Sequence, residues 1–381
     1  MIRRFFLDGG GGMSPSRSLV GQLADDELSL VYQDGLVVEH PSGQVVGDDI
    51  FEVLASRLDG DPDTHWVGCF GYATRRDLPA SPMAGVPDAI WMCTKGVQVA
   101  TIPPLVGGVV RADEVPPSPS YASAFEQVQE QLHEGNSYEV NLTYRERHRS
   151  DRDPLQIHER LRQLNPAPYS GMLRHGDTWL LSASPERFAK IGRDGQLETR
   201  PIKGTTPRSL DRVEDERLRH QLATDPKFRS ENLMIVDLLR NDLSMVCEPG
   251  SVQVPGLMEV ESYVGVHQLV STITGRLRPD VGTLAALKAL FPAGSMTGAP
   301  KLRTMQIIES VESGPRGLYA GAFGWISGDG RADLGVVIRS LFKGPKTDWI
   351  LGTGGGITVH SDLTDEWHET LWKAERVRAA L

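Results

Sequence analysis

The chain is poor in cysteine and has no apolar run long enough to cross a membrane. Its three cysteines, Cys69, Cys93 and Cys247, lie far apart and form no C-x-x-C pair. This excludes a disulfide framework and a thiolate metal site, and it suits a reducing cytosol. No stretch approaches the roughly 20 apolar residues of a membrane span. The opening MIRRFFLDGG is broken by Asp8 and the glycines before it can form a secretory leader. A cytoplasmic protein that engages no membrane is expected. Basic charge is short too: 40 Lys+Arg against 50 Asp+Glu give a formal net charge of -10. A broad nucleic-acid surface needs the reverse, so no nucleic-acid partner is expected. An acidic chain that binds an anion must gather a few cations locally, from side chains, helix N-termini or a metal.

What is present is a globular composition, 39% hydrophobic and 24% charged, on a chain of 381 residues, enough for one large domain or two ordinary ones. GGGG at 9–12 is a flexible break too near the terminus to part domains. From Leu36 to Val110 the runs GLVVEH, HWVGCFGYA and AIWMCTKGVQVA, punctuated by Gly, Pro and Asp, read as short strands. VPPSPS at 115–120 is the candidate linker, an ordinary proline loop being the equal alternative. Beyond it, Phe125, Val128 and Leu132 recur at helical spacing, and Gly135 is placed to end that helix. SYEVNLTYRERH then alternates like a strand. Helical periodicity covers 211–223, 229–243, 283–290, 299–312 and 362–380; strand-like runs cover 179–191, 196–202, 319–327, 333–343 and 349–359. Strands and helices mix without regular βαβ alternation, which points to an α+β fold, a complex sandwich, rather than a Rossmann fold or a barrel. The expected division is a strand-rich segment 1–118, packed into the same fold as a core at 119–381.

Chemistry concentrates in the last two-thirds. In SPERF…ETRPIKGTTPR (184–208), Lys203 follows a strand-like run and precedes the turn residues Gly204, Thr205 and Thr206. On spacing alone such a lysine reads as a solvated surface residue. In SENLMIVDLLRNDL (230–243) the helix is apolar over much of its circumference, which predicts burial. Glu231 falls in the expected first turn, where a carboxylate complements the helix dipole, and metal binding is the alternative. FPAGSMTGAPK (291–301) feeds a Gly/Ser/Thr loop into a helix N-terminus, a weak anion-binding signal that lacks the Walker pattern. GTGGG at 352–356 follows a strand without dinucleotide spacing, so a nucleotide fingerprint is rejected. Glu366 and Glu369 share a face of the last helix; Lys373 can compensate Glu369, and Mg2+, a hard cation with oxygen ligands, is the other candidate.

Taken together, SPERF, PIKGT, ENLMIVDLLRNDL, GSMTGAPK, GAFGW, VVIRS, GTGGGI and the terminal E-x-x-E-x-x-x-K resemble the chorismate-binding family over residues 120–381. The family includes the large subunits of anthranilate and aminodeoxychorismate synthases, and isochorismate and salicylate synthases. The resemblance implies the two-sheet sandwich of that family. It implies Mg2+ on Glu231 and Glu369, with Glu366 close by or bridging through water. Tyr319 and Arg339 would grip the enolpyruvyl carboxylate, with backbone at Gly204, Thr205, Gly354 and Gly356 lining the same pocket. His267 would lie near the ring, and Glu186 would be the general acid that releases the C4 hydroxyl. PIKGT, where anthranilate synthases typically read PIAGT, implies Lys203 as a nucleophile on chorismate and amination at C4 to 4-amino-4-deoxychorismate on the para-aminobenzoate branch. The amine would have to be depressed by desolvation and neighbouring cations before attacking. Anthranilate synthase or an isochorismate-forming synthase is the alternative. No cysteine has a glutaminase context, so ammonia is expected from solution or from a separate glutamine amidotransferase subunit.

Overall fold

Antiparallel pairing organises the chain. A computed structural model describes residues 1–8, 16–102, 115–263 and 265–381; the GGGG run lies outside the described residues. Among them, nine strands form one sheet in the order Gly298–Ala299, Glu139–His148, Trp349–Ile357, Ser340–Lys343, Thr178–Ser184, Tyr169–His175, Arg3–Asp8, Ser16–Gln22 and Gln98–Ile102. A second, twelve-stranded sheet runs Ile202–Pro207, Val266–Arg276, Gln196–Arg200, Arg187–Ile191, Ala332–Val336, Ala322–Ser327, His65–Phe70, Ala89–Thr94, Ser29–Gln33, Leu36–His40 and Val45–Gly47, with Gln253–Ser262 pairing on Val266–Arg276. The helices are α1 (Ile50–Ser56), α2 (Pro119–His133), α3 (Pro154–Leu164), α4 (Arg212–Thr224), α5 (Pro226–Ser244), α6 (Thr283–Leu290), α7 (Lys301–Val311) and α8 (Leu363–Arg378). This is the expected α+β two-sheet architecture. No helix among the described residues is long and apolar enough to cross a membrane.

The strands before residue 118 do not stand apart. Arg3–Asp8 pairs with Tyr169–His175, and His65–Phe70 pairs with Ala322–Ser327, so both sheets are built from both parts of the chain. The Pro-rich stretch therefore does not act as a linker: Ser118 accepts from the Tyr121 N–H as N-cap and Pro119 opens α2, where its missing N–H is no loss. Three strand-like runs are each divided, for physical reasons. Run 196–202 breaks at Pro201, which has no N–H for the ladder. Runs 179–191 and 333–343 break where the chain leaves one sheet for the other, at Pro185–Glu186 and at Val337–Arg339. The two crossings lie side by side, since Val336 N–H donates to the Glu186 carbonyl at 3.0 Å and Ala183 N–H to the Arg339 carbonyl at 3.2 Å. This junction between the sheets positions the site.

One main core packs residues of both sheets with α1, α5 and α6, including Phe5, Trp66, Trp91, Phe70, Ile235, Leu287 and Phe323. Smaller cores lie under α3 and α8 (Leu161, Trp179, Leu341, Val377) and among α2, α7 and α8 (Phe125, Val128, Ile308, Trp367). Helix α5 begins earlier than its apolar pattern suggested, because Asp225 caps Lys227 N–H and Phe228 N–H and Pro226 supplies the first position. Glu231 thus sits in the second turn rather than the first, too far in for its charge to be explained by the helix dipole. Nor is the helix buried all round, since Leu233 is 53% exposed.

A buried ionic knot braces one wall of that junction. Glu312 accepts from Thr143 N–H at 2.9 Å, Arg145 at 2.7 Å and Arg316 at 2.6 Å. Arg316 also donates to the carbonyls of Met296 at 2.6 Å and Asn141 at 2.8 Å. Glu312→Ala leaves two buried guanidinium groups without their anion, so it should cost about 3–5 kcal/mol. Denaturant melts would show this; a loss under about 1 kcal/mol would mean that water reaches the arginines.

Candidate functional site

The sheet junction opens into one cavity, of about 150 Å³, whose lining comes from both sheets, α5 and α8. Of the residues singled out from sequence, Lys203, Glu186, Gly204, Thr205, Tyr319, Arg339, Gly354, Gly356, Glu231, Glu366 and Glu369 all line it. His267 does not. Its side chain faces away from the cavity, between Ser262 Oγ at 2.8 Å from Nδ1 and Asp215 at 3.0 Å from Nε2, and its neighbour Gln268 takes the cavity side of the strand. Alternation along a strand accounts for the difference, since adjacent residues point to opposite faces.

Lys203 lies within the strand Ile202–Pro207, not on the turn its flanking residues suggested. The register steps from Ile202 opposite Val270 to Thr205 opposite Gln268, so the strand carries one extra residue there. Such a bulge re-aims a side chain, and it requires the left-handed Gly204, at φ 88°. The lysine side chain is 10% exposed and its Nζ contacts Glu139, which is 1% exposed. Burial is the largest influence on the amine and on its own would lower its pKa. Glu139, then Glu231 and Glu186, outweigh it, and the amine is held above its ordinary value. This reverses the expectation of a depressed amine: its nearest charged neighbours are carboxylates, not cations.

Glu186 sits in the crossing segment between sheets, fully enclosed. Burial pushes its carboxyl up to about 7, against the Ser295 hydroxyl, which donates at 2.5 Å, and against Lys203 and Lys373. A carboxylic acid that keeps its proton near neutrality suits general acid work. Arg339, at the other crossing, has the strained backbone value φ 51° and lies over the Trp372 ring at 5.3 Å. Among the described residues its guanidinium has no ion-pair partner, and burial, then Arg376, lower its pKa to about 10. A half-buried guanidinium without an ion-pair partner is a receptor for a carboxylate. Beside it stands Tyr319, whose ring occupies the space that a Cβ on Gly352 would fill.

Three carboxylates, from α5 and α8, line the same cavity. Glu231 has one oxygen, Oε1, buried without a partner, and burial, with Glu139 and Glu369 adding to it, pushes the group up to about 7. Glu366 accepts from Lys227 at 2.9 Å and Ser361 at 2.7 Å, while Glu369 pairs with Lys373 at 2.6 Å. A Cβ on Gly355 would stand 3.3 Å from Glu366 Oε2 and 3.8 Å from Glu369 Oε1, so this glycine leaves a cradle between them. Oxygen donors, an orphaned buried carboxylate oxygen and the cradle suit a hard divalent cation. The lysines now hold two of the three donors, and among the described residues no three His, Cys, Asp or Glu groups are drawn into a finished metal cluster.

Sequence reasoning missed Glu139 altogether. It opens the strand Glu139–His148, and its partner is 64 residues away, so no local spacing announces the pair. The one available signal is an acidic residue at the head of a run whose apolar residues alternate like a strand.

A mixed-charge cavity at the junction of two antiparallel sheets, lined by a guanidinium with no ion-pair partner among the described residues and by a carboxylate cluster, suits a protein that holds a small anion. The chain belongs to the chorismate binding enzyme family, whose pattern residues 103–379 match. It is 49% identical over 263 residues to the aminodeoxychorismate synthase of Streptomyces pristinaespiralis, covering 69% of this chain and 36% of that protein. It is 43% identical over 257 residues to aminodeoxychorismate synthase component 1 of Escherichia coli K12, covering 68% of this chain and 56% of that protein. The chain thus spans between about a third and just over half of the length of these relatives. The crystal structure of anthranilate synthase component I from Streptococcus pneumoniae TIGR4 shares the fold, with a TM-score of 0.80 over 98% of this chain and 92% of that one at 24% identity.

Proposed function

We propose that this chain aminates chorismate at C4, giving 4-amino-4-deoxychorismate, with Lys203 as nucleophile and Glu186 as acid. The observation that carries the reading is the enclosure of Lys203 in the same cavity as Glu186, Arg339 and the Glu231–Glu366–Glu369 wall. The names of relatives that are 49% and 43% identical over about two thirds of this chain support it.

Arg339, with Tyr319 beside it, binds one carboxylate of the dianion by a forked contact. Glu231, Glu366 and Glu369 would hold Mg2+, which when bound neutralises and orients the second carboxylate. With the ring so placed, the Lys203 amine adds to C2 while the C4–O bond breaks, and Glu186 delivers the proton that lets the oxygen leave as water. Ammonia then attacks C4 and the lysine departs from C2 with its electron pair. The ammonia comes from solution or from a glutamine amidotransferase partner; the name component 1, carried by the Escherichia coli relative, supports a second component.

The purified chain, given chorismate, Mg2+ and ammonium, should form aminodeoxychorismate, identified by mass spectrometry. Anthranilate or isochorismate as the product would sink the assignment of Lys203 chemistry while leaving chorismate as the substrate.

A further inference from the structure

Lys203 meets its substrate as an ammonium, and an ammonium has no lone pair with which to attack carbon. Something must take the proton, and among the described residues one carboxylate touches Nζ: Glu139, through Oε1. The surroundings of that carboxylate are unusual. Its other oxygen, Oε2, is buried and has no hydrogen-bond partner. The side chain is 1% exposed, so water does not solvate it. Among the described residues Lys203 is thus the one side chain that the Glu139 carboxylate contacts as a hydrogen-bond and ion-pair partner. Carboxylates that are meant to stay charged in a protein interior collect several donors, as Glu312 does here from Thr143, Arg145 and Arg316.

The pair also sits against bare backbone. A Cβ on Gly356 would run into Glu139 Oε1 and come within 2.8 Å of Lys203 Nζ, so the glycine of GTGGGI makes room for this contact. Other charged groups face the pair from further off: Glu231 and Lys227 on α5, Glu186 at the sheet crossing, and Glu366, Glu369 and Lys373 on α8. Glu231 and Glu186 act on the amine through space, and none of the six bonds to Nζ. Transfer of one proton from Nζ to Oε1 cancels two buried charges together. In a dry site the removal of two buried charges offsets part of what the proton transfer costs.

We propose that Glu139 is the catalytic base that removes the Lys203 proton, an inference that rests on the nucleophile reading above. The Nζ–H bond breaks, its electron pair stays on nitrogen, and the proton passes to Glu139 Oε1. The freed pair forms the N–C2 bond as C4–O breaks, and the oxygen leaves as water with the Glu186 proton. When ammonia adds at C4, the C2–N bond breaks with its pair to the lysine nitrogen, and the Glu139 proton returns there. The new C4 ammonium gives its extra proton back to Glu186, so both carboxyls and the lysine are restored.

The test is Glu139→Gln, which keeps shape and hydrogen bonding but cannot accept a proton. At pH 7 its kcat should fall by about 10²-fold or more, with the KM for chorismate within about threefold of wild type. Its activity should climb as pH rises towards 7, because Lys203 has lost its nearest anion and bulk hydroxide can take the proton instead, and should level above that pH, where wild type falls as Glu186 loses its proton. A rate within threefold of wild type at pH 7, or a loss with an unaltered pH profile, overturns the base role and leaves Glu139 a structural partner. Circular dichroism checks the fold. Should the glutamine variant not fold, Glu139→Asp carries the test, since its carboxylate is set back by one methylene: an unchanged kcat overturns the proposal, and a tenfold or greater loss at constant KM supports it. Lys203→Ala is assayed beside them. If it is inactive while Glu139→Gln works at full rate, only the base role falls. If Lys203→Ala itself keeps the wild-type rate, the nucleophile reading falls and the base role with it.

Discussion

Replacing Lys203 by alanine should lower the rate of chorismate amination by about three orders of magnitude or more, the scale on which enzymes lose activity when a covalent nucleophile is removed. The side chain is enclosed in the cavity, and its amine touches a carboxylate rather than solvent. Truncation has a second consequence that must be kept apart from the first. It strands Glu139 as a buried charge with no partner, which destabilises the fold unless that group takes up a proton. The double variant Lys203→Met with Glu139→Gln removes both charges at nearly constant volume; it should recover stability in a thermal melt and stay inactive. A covalent trap adds an independent readout. Wild-type chain given chorismate without ammonia should gain the mass of chorismate less one water, on a peptide containing Lys203, and the alanine variant should not. A variant that turns over within threefold of wild type would remove the lysine from the chemistry.

Much of the frame was legible in the sequence because it is written in local periods. The apolar rhythm of 283–290 coincides with α6 at Thr283–Leu290, and the alternation in SYEVNLTYRERH produces the strand Glu139–His148. Ends were harder wherever a cap rather than a rhythm decides them: α5 starts at Pro226 because Asp225 caps it, ahead of any apolar repeat. The N-terminal strand Arg3–Asp8 looked like a broken leader, since the strand that seats it in the sheet, Tyr169–His175, lies more than 150 residues further along the chain, while its other partner, Ser16–Gln22, is close by. In the cavity, residues carried by long motifs were found, whereas relations between motifs were not. The Glu139–Lys203 contact and the direction in which His267 points depend on register between strands, and a single slip would reverse both. Nor could spacing show that the two crossings, at Glu186 and Arg339, stand together. That juxtaposition is what turns separate motifs into one site, and it arises from sheet topology.

Glu186→Gln should lower kcat by about 10²- to 10⁴-fold, the usual worth of a positioned general acid, and should remove the descending limb of the pH–rate profile near neutrality. Hydroxide leaves poorly, so the reaction needs Glu186 protonated; with its carboxyl pushed up to about 7, chiefly by burial, the acid form predominates below that pH and is lost above it. A bound dianion acts in the same direction, since negative charge nearby favours the protonated form. The same shift has a cost that can be measured without substrate. The folded state holds this proton more tightly than the unfolded chain does, so the contribution of Glu186 to stability declines as pH rises from about 4.5 to about 7 and levels off beyond. At 1.36 kcal/mol per pH unit that is about 3 kcal/mol. Glutamine cannot ionise, so the variant should melt higher than wild type at pH 8 and match it more closely at pH 5, while being the poorer catalyst at both. A gain in alkaline stability bought with a loss of turnover is the mark of a group kept for chemistry rather than for packing. If the variant keeps the wild-type rate, or if its rate still falls through pH 7 with the same midpoint, another group supplies the proton and Glu186 is only a buried partner of Ser295.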